Sequence, residues 1–325
     1  MGTGAMLGGG SKSREHHWWP VGLQKFWADK NGDLAWISPQ GKIDRKRVRN
    51  RKIAKKAHGH TIFHGQVWET NFEGDFQSVD DAAPQIVETL LGFKPFGLTP
   101  SEALHMFRLL FKRDRHLRDT CRFYNLDENT NRKLLLLILS LLIRGPGNRF
   151  RYENYPQLVG LPPNENVGKL NMRQAYSLAK RQCETGSLSN RYYVLLHSPW
   201  KRFVFGDGQF DWLSQGLNGY RIDGRALMPL TPHLCIYVCT PRSMRVTPNC
   251  ASFLAPPWMV DEVNEMIQAC SKDAIYFMGS QPKLMPAFIE GQFLRHNRPN
   301  NYLIDLLDEV AGNTRPLSSL ISWTA

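Results

Sequence analysis

A chain of 325 residues with 42% hydrophobic and 11% aromatic residues can bury a substantial core, which excludes a disordered or low-complexity protein. Lysine and arginine outnumber aspartate and glutamate by 41 to 29, and the formal charge of +12 favours anionic partners such as nucleic acid, nucleotides or a phospholipid surface. Six cysteines with no Cys-x-x-Cys pair exclude a disulfide scaffold and fit free thiols in a reducing cytoplasm, so the expected location is cytoplasmic.

Residues 1–14 read as a flexible Gly/Ser leader with no apolar signal core. Its GGGSKS lacks the Gly-x4-Gly-Lys spacing of a phosphate loop. The stretch His16–Ile43 holds a paired histidine, four tryptophans and two turn signals. Pro20 argues against a central strand, so His16–Phe26 is expected as a short helix or irregular segment. Asn31-Gly32 and Pro39-Gln40-Gly41 flank a strand over Leu34–Ser38, predicting a small β-meander over residues 25–45. The basic run follows: Lys42, Arg45, Lys46, Arg47, Arg49, Arg51, Lys52, Lys55 and Lys56 against Asp44 alone. A solvated face and a phosphate-binding patch both suit such a run. His58, His60 and His64 have no carboxylate or cysteine at matching spacing, so no metal site is assigned to them.

A helix is expected over Asp81–Leu91, ending at Gly92. The next is better marked, with Thr99 as N-cap, Pro100 in the first helical position and Glu102 completing a capping box. Leu104, Phe107 and Phe111 give it a core face. Arg108, Lys112, Arg115, Arg118 and Arg122 then align as one stripe if the helix continues to Arg122. Asn131–Arg144 reads as a central core helix, stopped by Gly145-Pro146-Gly147. Its apolar run, Leu134–Ile143, is too short to span a bilayer, so no integral membrane association is expected. Residues 153–168 are loop-like, and Asn171 opens a further helix to Gly186. Strands are expected over Tyr192–Leu196, Phe203–Phe205, Leu234–Cys239 and Ala274–Met278, with helices over Trp258–Ala269 and Tyr302–Val310.

Helices in the middle and antiparallel strands from both ends predict an α+β fold. Residues 15–325 are expected to form a single domain with a weak subdivision near 150–170. The oligomeric state is not legible.

His16-His17-Trp18-Trp19-Pro20, followed by Leu23, Phe26 and the Gly-Asp-Leu-Ala-Trp hairpin, resembles the opening of an uncharacterised family, catalogued as domain of unknown function four-two-three-eight. Further matches follow in order. Glu69 and Asp80–Ile86 resemble its acidic helical segment, Ile138–Arg149 its central helix and Met228–Pro232 its Pro-Leu-Thr-Pro segment. Val204–Gly208 resembles a strand ending in Ser-Asp-Asn-Pro, and Val263–Ala274 a late helix and strand. The resemblance covers residues 15–280 in patches. Gly206, Gly208 and Gln209 depart from the Ser, Asn and Pro around Asp207. Asp80 or Asp81 stands where a Glu is usual. The family brings no known activity.

Three readings remain open, and the sequence does not decide whether the chain is an enzyme. The first is a nuclease or phosphoesterase-like hydrolase in which His16, His17, Glu69, Asp80 and Asp207 converge as acid–base groups or hold a divalent metal such as Mg²⁺. Its polyanion would lie on Lys46, Arg47, Arg49, Arg51 and Lys52, and on the stripe from Arg108 to Arg122. The second is a non-catalytic module binding DNA or RNA through the same cations, with Trp18, Trp19 and Trp36 stacking bases. The third is a subunit docking on an acidic protein partner.

Overall fold

The computed structural model describes residues 15–50, 52–64, 68–109, 116–186, 190–214, 224–241, 247–294 and 302–312. The N-terminal part contains β1 (Glu15–His17), α1 (Val21–Gln24), β2 (Asp33–Ile37), β3 (Ile43–Arg47), β4 (Lys55–Ala57), β5 (Thr61–His64) and β6 (Trp68–Asn71). The middle contains α2 (Gln77–Gly92), α3 (Pro100–Leu109), β7 (Arg122–Tyr124), α4 (Glu128–Arg144), α5 (Pro146–Asn154) and α6 (Glu165–Glu184). Then come β8 (Tyr192–His197), β9 (Phe205–Gly206), β10 (Phe210–Asp211), β11 (Arg225–Thr231), β12 (Leu234–Cys239) and β13 (Cys250–Leu254). The described chain closes with α7 (Pro257–Cys270), β14 (Ile275–Phe277), α8 (Pro286–Ile289) and α9 (Tyr302–Val310). This is an α+β fold, with helices grouped in the middle and mostly antiparallel sheets built from both ends.

The larger sheet has the order β10-β11-β12-β8-β13-β7, and only the β8–β13 pairing is parallel. Strands β8, β11 and β12 are buried at nearly every position rather than at alternate ones, because both faces are covered. Tyr193 stands opposite Val238, and Tyr237 opposite Val194. Opposed residues share a face, so the two tyrosines point to opposite sides. Tyr193 donates its hydroxyl to Asn131 Oδ1 on α4 at 2.6 Å, and Tyr237 to Asp308 Oδ1 on α9 at 2.6 Å. Helix α4 therefore lies on one face and α9 on the other. Helix α4 is the expected core helix. Asp127 caps it by accepting the Thr130 N–H at 2.9 Å, and from Leu134 to Arg144 all but Leu136 are buried.

The smaller sheet, β3-β2-β14-β9, is antiparallel throughout. Its β2–β3 hairpin turns at Pro39-Gln40-Gly41, where Gly41 takes φ +77°. Trp19 packs on Phe205 at 4.2 Å and on Tyr276 at 4.9 Å between ring centres. Trp27 donates its indole N–H to the Leu230 carbonyl of β11 at 3.0 Å. The N-terminal aromatics thus tie the smaller sheet to the larger one. Two short ribbons, β1–β4 and β5–β6, complete the pairing among the described residues.

Several expectations change. Asn31-Gly32 turns the chain into β2 from a 3-10 turn over Lys25–Trp27, so one hairpin forms and not a meander. Helix α2 begins four residues early, at Gln77. The capping box of α3 forms: Thr99 Oγ1 accepts the Glu102 N–H at 3.3 Å and Glu102 accepts the Thr99 N–H at 3.2 Å. Its apolar face does not bury, since Leu104 and Phe107 are 51% and 56% exposed. The helical stripe does not form. Helix α3 is described only to Leu109, Lys112 and Arg115 fall outside the described residues, and Arg118 lies in a 3-10 turn. There Arg118 donates to the Val310 carbonyl at 2.8 Å, while Arg122 opens β7 and pairs with Glu102. These two cations are answered by a carbonyl and an acid of the fold itself.

The loop expected over 153–168 is largely helical. Helix α5 is followed by a 3-10 turn over Tyr155–Val159, and α6 starts at Glu165 with Asn164 accepting the Val167 N–H at 3.1 Å. Asn171 lies inside α6. Among the described residues no helix is long and apolar enough to cross a membrane. All six cysteines are free thiols, and burial pushes Cys121, Cys183 and Cys270 up to about 12.

Candidate functional site

The site is built where the first strand meets the ribbons. His16 pairs in register with Lys56, and His17 with Lys55. The Trp18 N–H donates to the Ala54 carbonyl at 3.0 Å, and His17 Nδ1 meets the Ile53 carbonyl at 3.1 Å. Ala54 and His58 take φ +53° and +51°, left-handed values that residues with side chains adopt rarely. These two bends fold the chain back so that His60 reaches His16. Gly22 lets the neighbouring α1 lie close on α2, since a Cβ there would meet the Pro84 ring at 2.7 Å.

Three side chains from distant segments converge there. His16 and His60 lie with ring centres 5.2 Å apart and planes within 4°. The His60 N–H donates to His16 Nδ1 at 2.6 Å, and His60 Nδ1 is hydrogen-bonded to Glu73. Asn71 closes the group: its side-chain amide faces His16 Nε2 at 3.2 Å and accepts the Glu73 N–H at 2.9 Å. Burial pushes His60 well below the usual histidine range, helped by Arg144. Burial also raises the Glu73 carboxyl, against the pull of Arg144.

Arg144, the last residue of α4, is fully buried beside this group. It grips Asp80 with two hydrogen bonds of 2.9 and 2.6 Å, donates to the Ser140 carbonyl at 3.3 Å and lies over the Phe76 ring at 4.4 Å. Next to it opens a cleft of about 400 Å³ between β4, the α4–α5 corner and β14. Six cationic side chains line it, Lys52, Lys55, Lys56, Arg144, Arg149 and Lys272, against three acids, Glu153, Asp207 and Asp273. Trp18, Trp36, Phe150 and Tyr276 supply aromatic walls. Several cations have protein partners: Lys55 with Glu15, Lys56 with Glu153 and Glu165, and Lys272 with Asp273. Arg149 is 8% exposed, donates to the Gly59 carbonyl and pairs through Nε with Glu153 at 3.5 Å. A larger cavity, about 570 Å³, lies between residues 199–204 and 277–286, but its three cations face two acids and it carries no comparable excess.

Asp207 lies at the cleft wall, just past β9. Its carboxylate accepts the N–H groups of Lys272 and Asp273 at 2.7 and 2.8 Å. Burial nevertheless lifts it to about 7. The glycines beside it are required by close packing: a Cβ at Gly206 would collide with Ser271 Oγ, and one at Gly208 with the Cys270 carbonyl. Both glycines leave room for the α7–β14 connection.

The other expected residues are placed as follows. His16 joins His60 and Glu73, whereas Glu69 is exposed on β6 opposite Phe63 and, among the described residues, belongs to neither group. Asp80 is engaged by Arg144. Asp207 lines the cleft and is held by main-chain N–H groups, whereas His17 meets the Ile53 carbonyl and does not line it. Of the basic run, Lys46 lies over Trp36 at 5.6 Å and Arg47 pairs with Asp33 at 3.7 Å on exposed β3. Arg49 is exposed, Lys52 stands at the cleft, and Arg51 falls outside the described residues. Arg108 is exposed on α3. Trp19 is fully buried and is not a base-stacking surface. Sequence reasoning missed Glu73 and Arg149. Glu73 lies 57 residues from His16 in the chain, and only the positive-φ bends reveal the contact. Scans against protein-family models, curated proteins and solved structures return no match.

Proposed function

We propose that this chain binds a nucleic-acid strand in the cleft beside Arg144. The observation that carries the reading is the convergence of six cations and four aromatic side chains on one cleft of about 400 Å³. Cavities of roughly 300–1,000 Å³ accommodate small ligands, so one nucleotide can seat there. Lysines held at the rim attract phosphate by releasing counterions. Trp36, half-buried and lined by Lys46, offers a flat face for a base.

The test is binding of labelled DNA and RNA by the full chain across a salt series. Affinity is expected to fall with salt, and Lys52→Glu with Lys272→Glu is expected to weaken binding without altering the fold. Salt-independent binding, or a double variant that binds as the parent does, refutes the reading. Hydrolysis is the second reading, favoured by Asp207 at the cleft wall, whose value of about 7 suits acid–base work at neutral pH. Incubation with Mg²⁺, Mn²⁺ or EDTA tests it. Unchanged substrate in every condition, or equal cleavage by Asp207→Asn, removes a nuclease or phosphoesterase role for that carboxyl.

A further inference from the structure

We propose that His16, His60 and Glu73 bind a divalent ion of the zinc class. The proposal does not rest on the nucleic-acid reading. One ligand atom from each of the three residues lies within 4.8 Å of the other two. Zinc holds imidazole nitrogens and carboxylate oxygens at about 2.0–2.2 Å, which sets ligand atoms roughly 3–4 Å apart. Two imidazoles on one tetrahedral ion keep their ring centres about 5 Å apart. Here that separation is 5.2 Å with the rings stacked within 4° of parallel, so a rotation of one ring brings both nitrogens onto the ion.

The donor set selects the metal. Two imidazoles and one carboxylate suit Zn²⁺ and its first-row neighbours, whereas Mg²⁺ prefers an all-oxygen shell and retains its waters. This departs from the Mg²⁺ expected for a site built from carboxylates.

Protons balance simply. His60 Nδ1 and Glu73 share a hydrogen bond, and the ion takes the place of its proton, which leaves to solvent. His16 Nδ1 accepts the His60 N–H, and its Nε2 faces the side-chain amide of Asn71. Coordination through Nδ1 takes over the accepting lone pair, and the His60 amide gives up one hydrogen bond while three coordinate bonds form. Asn71 fixes the Glu73 backbone from outside, as supporting groups do around metal ligands. Arg144, the cation that acts most strongly on His60 and Glu73, is paired with Asp80 by two hydrogen bonds.

A purely structural His–His–Glu hydrogen-bonded group makes a different prediction, namely no metal affinity. The full chain is stripped with a chelator, dialysed and titrated with Zn²⁺ by calorimetry, with Co²⁺ by visible absorption and with Mg²⁺ as control. The expected result is one Zn²⁺ per chain, proton release, a higher Tm, a four- or five-coordinate Co²⁺ band and no response to Mg²⁺. Glu73→Gln is expected to weaken Zn²⁺ binding by about tenfold or more. The absence of saturable Zn²⁺ uptake by the folded parent, or equal affinity in a folded Glu73→Gln, overturns the proposal. If that variant does not fold, the parent's Co²⁺ spectrum decides alone, since no band means no site.

Discussion

Arg225 and Asp308 form an ion pair sealed beneath α9, while Arg144 and Asp80 form one whose acid still reaches water. Arg225 and Asp308 side chains are 8% and 0% exposed, and Tyr237 adds a hydroxyl to the same carboxylate. Arg144 is equally buried, but Asp80 is 23% exposed. The sealed pair joins β11 and β12 to a covering helix. The open pair sits where α2, α4 and the first strand meet, beside the His–His–Glu group and the cleft. The chain thus keeps one buried charge pair for holding layers together and places the other at the edge of its candidate site.

The largest expected effect comes from breaking the sealed pair. Asp308→Ala leaves Arg225 buried without its carboxylate and removes the acceptor of Tyr237, so a loss of about 3–5 kcal/mol is expected. Urea unfolding measures it, and a loss below about 1 kcal/mol would show that Arg225 finds another partner. Asp80→Asn is expected to cost less, about 1–3 kcal/mol, because Arg144 retains the Ser140 carbonyl and the Phe76 face. Equal losses in the two variants would erase the distinction between the pairs.

The two regions also differ in pH response. His197, at the end of β8 in the larger sheet, is pushed down to about 4 by burial. The unfolded chain takes up that proton near about 6.5, so the stability His197 contributes is full above about 6.5 and is lost as pH falls towards about 4. Asp207 at the cleft runs the other way. Raised to about 7, it keeps its proton in the fold, so its contribution is full below about 3.9 and is lost as pH rises through about 7. His197→Gln should flatten stability between about pH 6.5 and 4, and Asp207→Asn should remove a decline between about pH 4 and 7. Unchanged slopes in denaturant midpoints would show that neither group titrates as described.

The sheet-covering part of the fold was legible because local patterns agree with tertiary burial. Leu234–Cys239 and Tyr302–Val310 are apolar enough to name their own boundaries, and both match the observed elements. The capping box at Thr99 is likewise a local code. The candidate site was not legible in the same way. His16, His60 and Glu73 meet only because Ala54 and His58 adopt left-handed bends, and nothing in either residue type announces them. The predicted cation stripe failed for a related reason. Spacing of three and four residues has meaning only inside a helix, and by Arg118 the chain has left one. Asn164 outcompeted Asn171 as a helix start because either can cap, and packing between α5 and α6 settles which one does. Thr99→Ala isolates the local contribution: a loss of about 1 kcal/mol is expected, and no change would mean that Arg122 alone holds Glu102 in place.

Helix α3 provides the smallest expected effect and the sharpest contrast with α4. Both sequences present apolar residues at helical spacing, yet α4 buries its run while Leu104 and Phe107 stand 51% and 56% exposed. A phenylalanine truncated in a packed core costs about 3–5 kcal/mol, and surface substitutions fall within about 0.5 kcal/mol of the parent. Phe107→Ser should therefore leave the urea midpoint nearly unchanged. It should also leave the Glu102 carboxylate, held down to about 2 by Arg122, as strongly perturbed as before. A loss above about 2 kcal/mol would mean that the apolar face of α3 is covered in solution, and that the spacing read from the sequence had identified a buried face after all.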